Sequence, residues 1–227
     1  MLRKFCYNTA MKCFVIAMPK EATPVLAAMK IKKDYTVCNK RVVCGTLFGK
    51  EFAVVVCGVG KVNAASGTQY AIDCLSATEI INLGVAGGLN NTVEVGGIYS
   101  VSEVVQYDYD VSQLNGTKIG TLNECTENYL SLTLTEGFKA KRVGTGDRFN
   151  DNPDDYILLT KELGADIREM ELGAIAQVCM HAGVKCRSFK IISDLAGSGS
   201  TTDQYLKNLN TCFNSLTENL EKIVKSV

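Results

Sequence analysis

The feature that most limits what this chain can fold into is an alternation, repeated along nearly its whole length, of short apolar runs with longer stretches of helical period. Short apolar runs bounded by turn residues read as strands, and the helical stretches between them supply covering layers. Strands are expected over 13–18, 41–48, 51–57, 79–83, 97–105, 141–145 and 186–192. Helices are expected over 20–29, 61–75, 126–136, 154–163, 171–182 and 202–226. Several of the strands are apolar on consecutive residues, as in A-V-V-V-C ending at Cys57, which is the pattern of strands covered on both faces. Asn152 before Pro153 marks a helix entry, and Gly183 after His181 marks a helix stop. The sequence contains no repeat, no low-complexity tract and no linker rich in Pro, Gly or Ser. The expectation is one α/β domain over residues 12–227, a central mixed twisted β-sheet flanked by helices, preceded by a short extension over residues 1–11.

Charge and cysteine usage narrow the function. The 24 basic and 24 acidic side chains cancel, which argues against a polyanion binder such as a nucleic-acid or acidic-membrane protein. No apolar run approaches the roughly 18 residues of a membrane span, and the first residues have no apolar core of signal-peptide length. The ten cysteines form no C-x-x-C pair, and His181 is the only histidine, so a zinc site is not expected. Most cysteines lie in apolar runs, where a free thiol packs as a small hydrophobe. A reducing, cytoplasmic location and a small-molecule partner are the expectation.

Glycine concentrates at 58 and 60, at 84, 87 and 88, at 96 and 97, and at 144 and 146, beside expected strand ends. In open α/β sheets such positions let backbone approach a ligand, although tight turns alone would also explain each cluster. Neither nucleotide fingerprint is present, because V-C-G-V-G-K-V-N-A-A lacks the third glycine of G-x-G-x-x-G and no G-x-x-x-x-G-K-[ST] occurs. G-S-G-S at 197–200 is no nucleophile elbow. His181, at a helix end, fits a dipole partner better than a catalyst. Carboxylates remain: Glu21 after C-F-V-I-A-M-P-K, Glu171 in R-E-M-E-L-G-A-I-A, and Asp194 closing F-K-I-I-S-D. Singly, each complements a helix end or caps a strand exit; together they place three acids beside strand ends of one sheet, where an acid and a base could flank a scissile bond.

The strings V-I-A-M-P-K-E-A, G-V-G-K-V-N-A-A, I-I-N-L-G-V-A-G-G-L, V-G-T-G-D-R-F, M-E-L-G-A-I-A and I-I-S-D-L-A resemble, in order and spacing, the purine nucleoside phosphorylase and uridine phosphorylase superfamily. Within it the chain is most similar to the 5′-methylthioadenosine/S-adenosylhomocysteine nucleosidases. The resemblance implies hydrolysis of a purine N-glycosidic bond without metal or organic cofactor, in a homodimer. It implies Asp194 as the acid that protonates purine N7, Glu21 as the base that activates water, and Glu171 as the holder of the ribose hydroxyls, with Met170 packed on the sugar. It further places Phe149 and Asn150 at the base, Ala86 and Gly87 beneath base and ribose, and Val85, Ser193 and Lys190 around the water and the acid. Such acids suit the chemistry, since glycosidic cleavage passes through an oxocarbenium-like sugar.

Two departures stand out: Val85 where the bacterial nucleosidases have a serine, and Lys190 where they have an arginine, which cannot be matched in bidentate contacts. The region after Val111 lacks the aromatics that cover the 5′ group across the dimer, leaving Leu114 and Ile119 as an apolar cover. V-E-V-G-G-I-Y-S-V is compatible with an interface. A phosphate-dependent phosphorylase would need cations, which Lys20, Arg41 and Lys61 could supply, but an acid beside the nucleophile repels phosphate. A non-catalytic nucleoside-binding protein is the further alternative.

Overall fold

In the computed structural model, which describes residues 11–227, the chain runs β1 (Met11–Ile16), α1 (Pro19–Ala28), β2 (Met29–Val37), β3 (Lys40–Leu47), β4 (Lys50–Val56), α2 (Lys61–Leu75), β5 (Ala77–Gly88) and β6 (Ile98–Gln106). It continues through α3 (Ser112–Asn115), β7 (Leu130–Ser131), β8 (Ala140–Thr145), α4 (Pro153–Ile157), β9 (Ile167–Glu169), α5 (Leu172–Ala182), β10 (Lys185–Leu195) and α6 (Thr201–Ser226). The expected extension over 1–11 lies outside the described residues except for Met11, which is buried at the start of β1.

One mixed sheet organises all ten strands. β5 is its hub, parallel to β1 on one side and to β10 on the other, and its last two residues turn to pair antiparallel with β9. Because β10 also pairs with β6, β6 with β8 and β8 with β9, that half of the sheet closes on itself around the C-terminal ends of β5 and β10. The other half runs β1, β4, β3, β2 to an open edge.

Alternation along β1 builds the two core layers. Cys13 and Val15 face α2 and α5, packing with Ala71, Leu75 and Ile175. Phe14 and Ile16 face α1 and α6, packing with Val25, Leu216 and Leu220. A strand buried on both faces has no polar positions, which is why this run reads as continuously apolar.

Several expectations are corrected. The segment 126–136 is not a helix: Leu130, Leu132 and Leu134 alternate with Ser131 and Thr133, and the chain forms the short β7 and extended backbone. The first helix ends at Ala28 and Met29 opens β2, a largely exposed edge strand rich in lysine. The 154–163 helix divides into α4 and a π-helical turn over Leu158–Glu162. β5 and β10 run past their expected ends, so Gly84, Gly87, Gly88 and Asp194 lie within strands. Val93, Tyr99 and Val101 of the expected interface segment are core residues. The capping expectations match: Asn152 Oδ1 accepts from Asp154 N at 2.8 Å, and Gly183 takes a left-handed φ of 64° after α5.

Candidate active site

A cavity of about 410 Å³ opens at the C-terminal ends of β5 and β10, lined by ten of the eleven expected site residues. That volume is in the range of a small-molecule pocket.

Glu21 sits in the first turn of α1, where a carboxylate complements the helix N-terminus. Its Oε2 accepts from Met18 N at 3.0 Å and its Oε1 from Val85 N at 2.8 Å. Burial, with 4% of the residue exposed, raises its pKa, against lowering by the Val85 N–H, Lys190 and the Met18 N–H. The result is a carboxylate held by fixed donors yet more basic than one in water. Val85 thus serves through its backbone.

Glu171 stands at the N-cap of α5 and reaches across to the β4–α2 turn, where Oε1 accepts from Gly60 N at 2.8 Å. Gly60 has φ of 94°, a conformation glycine adopts without cost. Burial and the neighbouring Glu169 raise Glu171 to about 7, while Lys190 and the Gly60 N–H oppose the rise. At the N-terminus of α2 two N–H groups already serve carboxylates, Gly60 N donating to Glu171 and Lys61 N to Asp147 Oδ1 at 2.8 Å.

Asp194, 2% exposed, accepts from Ser193 Oγ at Oδ2 (2.7 Å), and Ser193 Oγ is also 3.3 Å from Ala86 O. Its Oδ1 has no hydrogen-bond partner among the described residues. Burial raises its pKa, opposed by the Ser193 hydroxyl and by Arg168. A buried acid that lines a cavity and keeps one oxygen unsatisfied is suited to carry a proton for a ligand.

Phe149 and Asn150 form the outer wall. The loop they occupy is fixed by Arg148 Nη1 and Asn150 Nδ2, which donate to Asp155 at 2.7 and 2.9 Å. Phe149 packs edge-on against Tyr205 of α6, centroids 5.6 Å apart. Met170, Ala86 and Gly87 line the floor.

Lys190 differs from its expected place. It is 1% exposed, does not line the cavity, and pairs with Glu169 Oε2 at 2.8 Å. Glu169 in turn accepts from Glu171 N and Leu172 N, both near 3.0 Å, and from Thr145 Oγ1. The lysine therefore supports the carboxylates from behind. Lys20, Arg41 and Lys61 also stay away from the cavity: Lys20 is exposed, Arg41 pairs with Asp34 at 2.7 Å and Lys61 with Asp108 at 2.6 Å. Among the described residues no three His, Cys, Asp or Glu side chains converge to hold a metal ion.

The lining also includes Arg168, Tyr205 and Thr201, which sequence reasoning missed. A three-residue strand such as β9 is too short to show a period. The one available signal was the charge of Arg168 beside Glu169, just ahead of M-E-L-G-A-I-A.

Residues 12–227 match the phosphorylase superfamily. The chain belongs to that superfamily. It is 30% identical over 206 residues to the 5′-methylthioadenosine/S-adenosylhomocysteine nucleosidase of Halalkalibacterium halodurans, covering 84% of this chain and 89% of that protein. Among solved structures, the nucleosidase of the same description from Colwellia psychrerythraea 34H, in complex with adenine, is 27% identical with a TM-score of 0.81, covering 91% of each chain. The futalosine hydrolase of Helicobacter pylori superposes with a TM-score of 0.87 at 21% identity, covering 98% of this chain and all of that one, a likeness of fold. For a member of the phosphorylase superfamily, the buried carboxylates and the withdrawal of Lys20, Arg41, Lys61 and Lys190, with Arg148 and Arg168 the cations left in the lining, are the features that bear on which nucleophile is used.

Proposed function

We propose that the chain hydrolyses the N-glycosidic bond of purine nucleosides, with 5′-methylthioadenosine and S-adenosylhomocysteine as substrates and adenine as the base released. Asp194 Oδ1 carries the proton delivered to N7, Glu21 takes a proton from the attacking water, and Glu171 Oε2 accepts from the ribose hydroxyls. Water attack at C1′ breaks the C1′–N9 bond, and the electron pair leaving with the base is neutralised by the proton on N7. The observation that carries the reading is Asp194: a buried acid in the cavity lining, raised by burial, with one oxygen unpartnered. Hydrolysis is favoured over phosphorolysis because Glu21 stands at the nucleophile end while Lys190 is committed to Glu169. Phosphate approaching there would meet an anion rather than a cation.

The names of the relatives support the 5′-thio substrates. A homodimer is part of the proposal: Val62 and Leu114 are 79% and 85% exposed, Val62 follows the lining residue Val59 by three positions, and a partner docked over these side chains is the proposed cover of the 5′ group. No disulfide joins the nine described cysteines, six of them buried, which supports a reducing, cytoplasmic location; a role in methionine salvage goes with the 5′-thio substrates. The test is adenine release from 5′-methylthioadenosine by the purified protein and by Asp194→Asn. Rate loss of about 10²–10⁴-fold with an unchanged melting temperature is expected. Tight nucleoside binding without turnover in the wild type would instead favour the non-catalytic binding reading, to which Val85 gives its support.

A further inference from the structure

Sheet register sets three residues in a row at the base end of the cavity: Asp194 on β10, Gly87 on β5 and Arg168 on β9. Residues paired on neighbouring strands project to the same face. Gly87 puts no side chain between the other two. A Cβ there would stand 2.8 Å from Asp194 Oδ1 and 3.1 Å from Arg168 Nε, so the acid and the guanidinium close over the glycine, with Nη2 3.9 Å from Oδ1. Both side chains line the cavity.

Arg168 has five N–H donors. One, on Nη2, goes to Thr201 Oγ1 at 2.9 Å, and Asp151 Oδ1 lies 3.7 Å from the same nitrogen. Among the described residues no other donor of this side chain is taken. A cation beside a general acid opposes protonation of that acid, so this placement works against catalysis unless the cation also serves the leaving group. Purines offer a reason. N7 and the substituent on C6 share one edge: adenine presents an acceptor and a donor there, whereas hypoxanthine and guanine present two acceptors, N7 and O6. Arginine is donor-only, so beside the N7 acid it complements O6 and is mismatched to an amino group.

We propose that Arg168 is a base-specificity residue and that the site takes 6-oxopurine nucleosides in addition to the adenine nucleosides named above, the guanidinium donating to O6 while Asp194 protonates N7. The inference rests on the N-glycosidase reading above. Water's oxygen bonds to C1′ and its proton passes to Glu21; the C1′–N9 pair leaves with the base, Asp194's proton goes to N7, and Arg168 meets the charge that reaches O6.

The experiment compares kcat/KM for 5′-methylthioinosine and 5′-methylthioadenosine in the wild type and in Arg168→Gln, since Gln pairs with an N7/N6 edge. The wild type is expected to cleave both, and the inosine-to-adenosine ratio to fall at least about tenfold in the variant. A ratio unchanged within about twofold would overturn the proposal, as would a wild type that cleaves only the adenine nucleoside. Titration of free hypoxanthine and adenine into the wild type by calorimetry decides the matter without the variant: hypoxanthine binding at least as tightly as adenine is expected, and adenine binding alone contradicts it. Cleavage of neither nucleoside would defeat the glycosidase reading, while the titration would still report on Arg168.

Discussion

At Glu21 two backbone N–H groups take one carboxylate oxygen each, whereas at Asp194 a single hydroxyl takes one oxygen and the other is left bare. Fixed donors favour the ionised form and their absence favours the neutral one, so the two groups are prepared for opposite proton roles. Glu171 lies between, and its titration is open to measurement. A carboxyl raised to about 7 in the fold contributes stability that is complete below the ordinary carboxylate range and lost as pH rises through about 7. Glu171→Gln removes that dependence, so the melting temperature of the variant relative to wild type should climb between about pH 5 and pH 8. A difference independent of pH would contradict it. Since ribose hydroxyls need the ionised acceptor, nucleoside KM should rise as pH falls below about 7, and an acid limb in initial rates would report it.

At the scale of elements, β9 and β10 are joined through a buried ion pair, Lys190 with Glu169, and the same carboxylate holds the first N–H groups of α5. Removing one partner leaves an uncompensated charge in the core. Lys190→Met is expected to cost about 3–5 kcal/mol in urea melts and to move the acid limb of kcat/KM to higher pH, because Lys190 opposes the rise of both Glu21 and Glu171. Adding Glu169→Gln should recover part of the stability, the amide oxygen still accepting from α5. Double-sided strands such as β1 and β4 and capped helices such as α5 were legible in the sequence, because continuous apolar runs and Gly183 encode them locally. β2 was not, because its exposed lysines carry no core-facing pattern, and 126–136 was misread because the alternation of Leu130, Leu132 and Leu134 is brief. Asp194, Glu21 and Glu171 were found because acids in apolar strings stand out; the retreat of Lys190 behind Glu169 depends on register between distant strands, which no local string contains.

For the whole molecule, the half of the sheet that closes around β5 and β10 supplies most of the cavity, and the open half adds Ala17 and Met18 after β1, Glu21 on α1 and Val59 at the turn after β4. The proposed homodimer belongs to this scale. Light scattering at low micromolar concentration should give close to twice the 24.6 kDa chain mass, and Val62→Glu with Leu114→Glu should give the mass of one chain together with a higher KM for the 5′-thio nucleoside. A monomeric wild type with full activity would remove the shared-site reading. The central claim is that water is the nucleophile, and product chromatography of 5′-methylthioadenosine incubated with the protein, with and without inorganic phosphate, tests it most directly. Adenine and free 5-methylthioribose at equal rates in both samples is the result the account predicts; base release only with phosphate, accompanied by a sugar 1-phosphate, would contradict it.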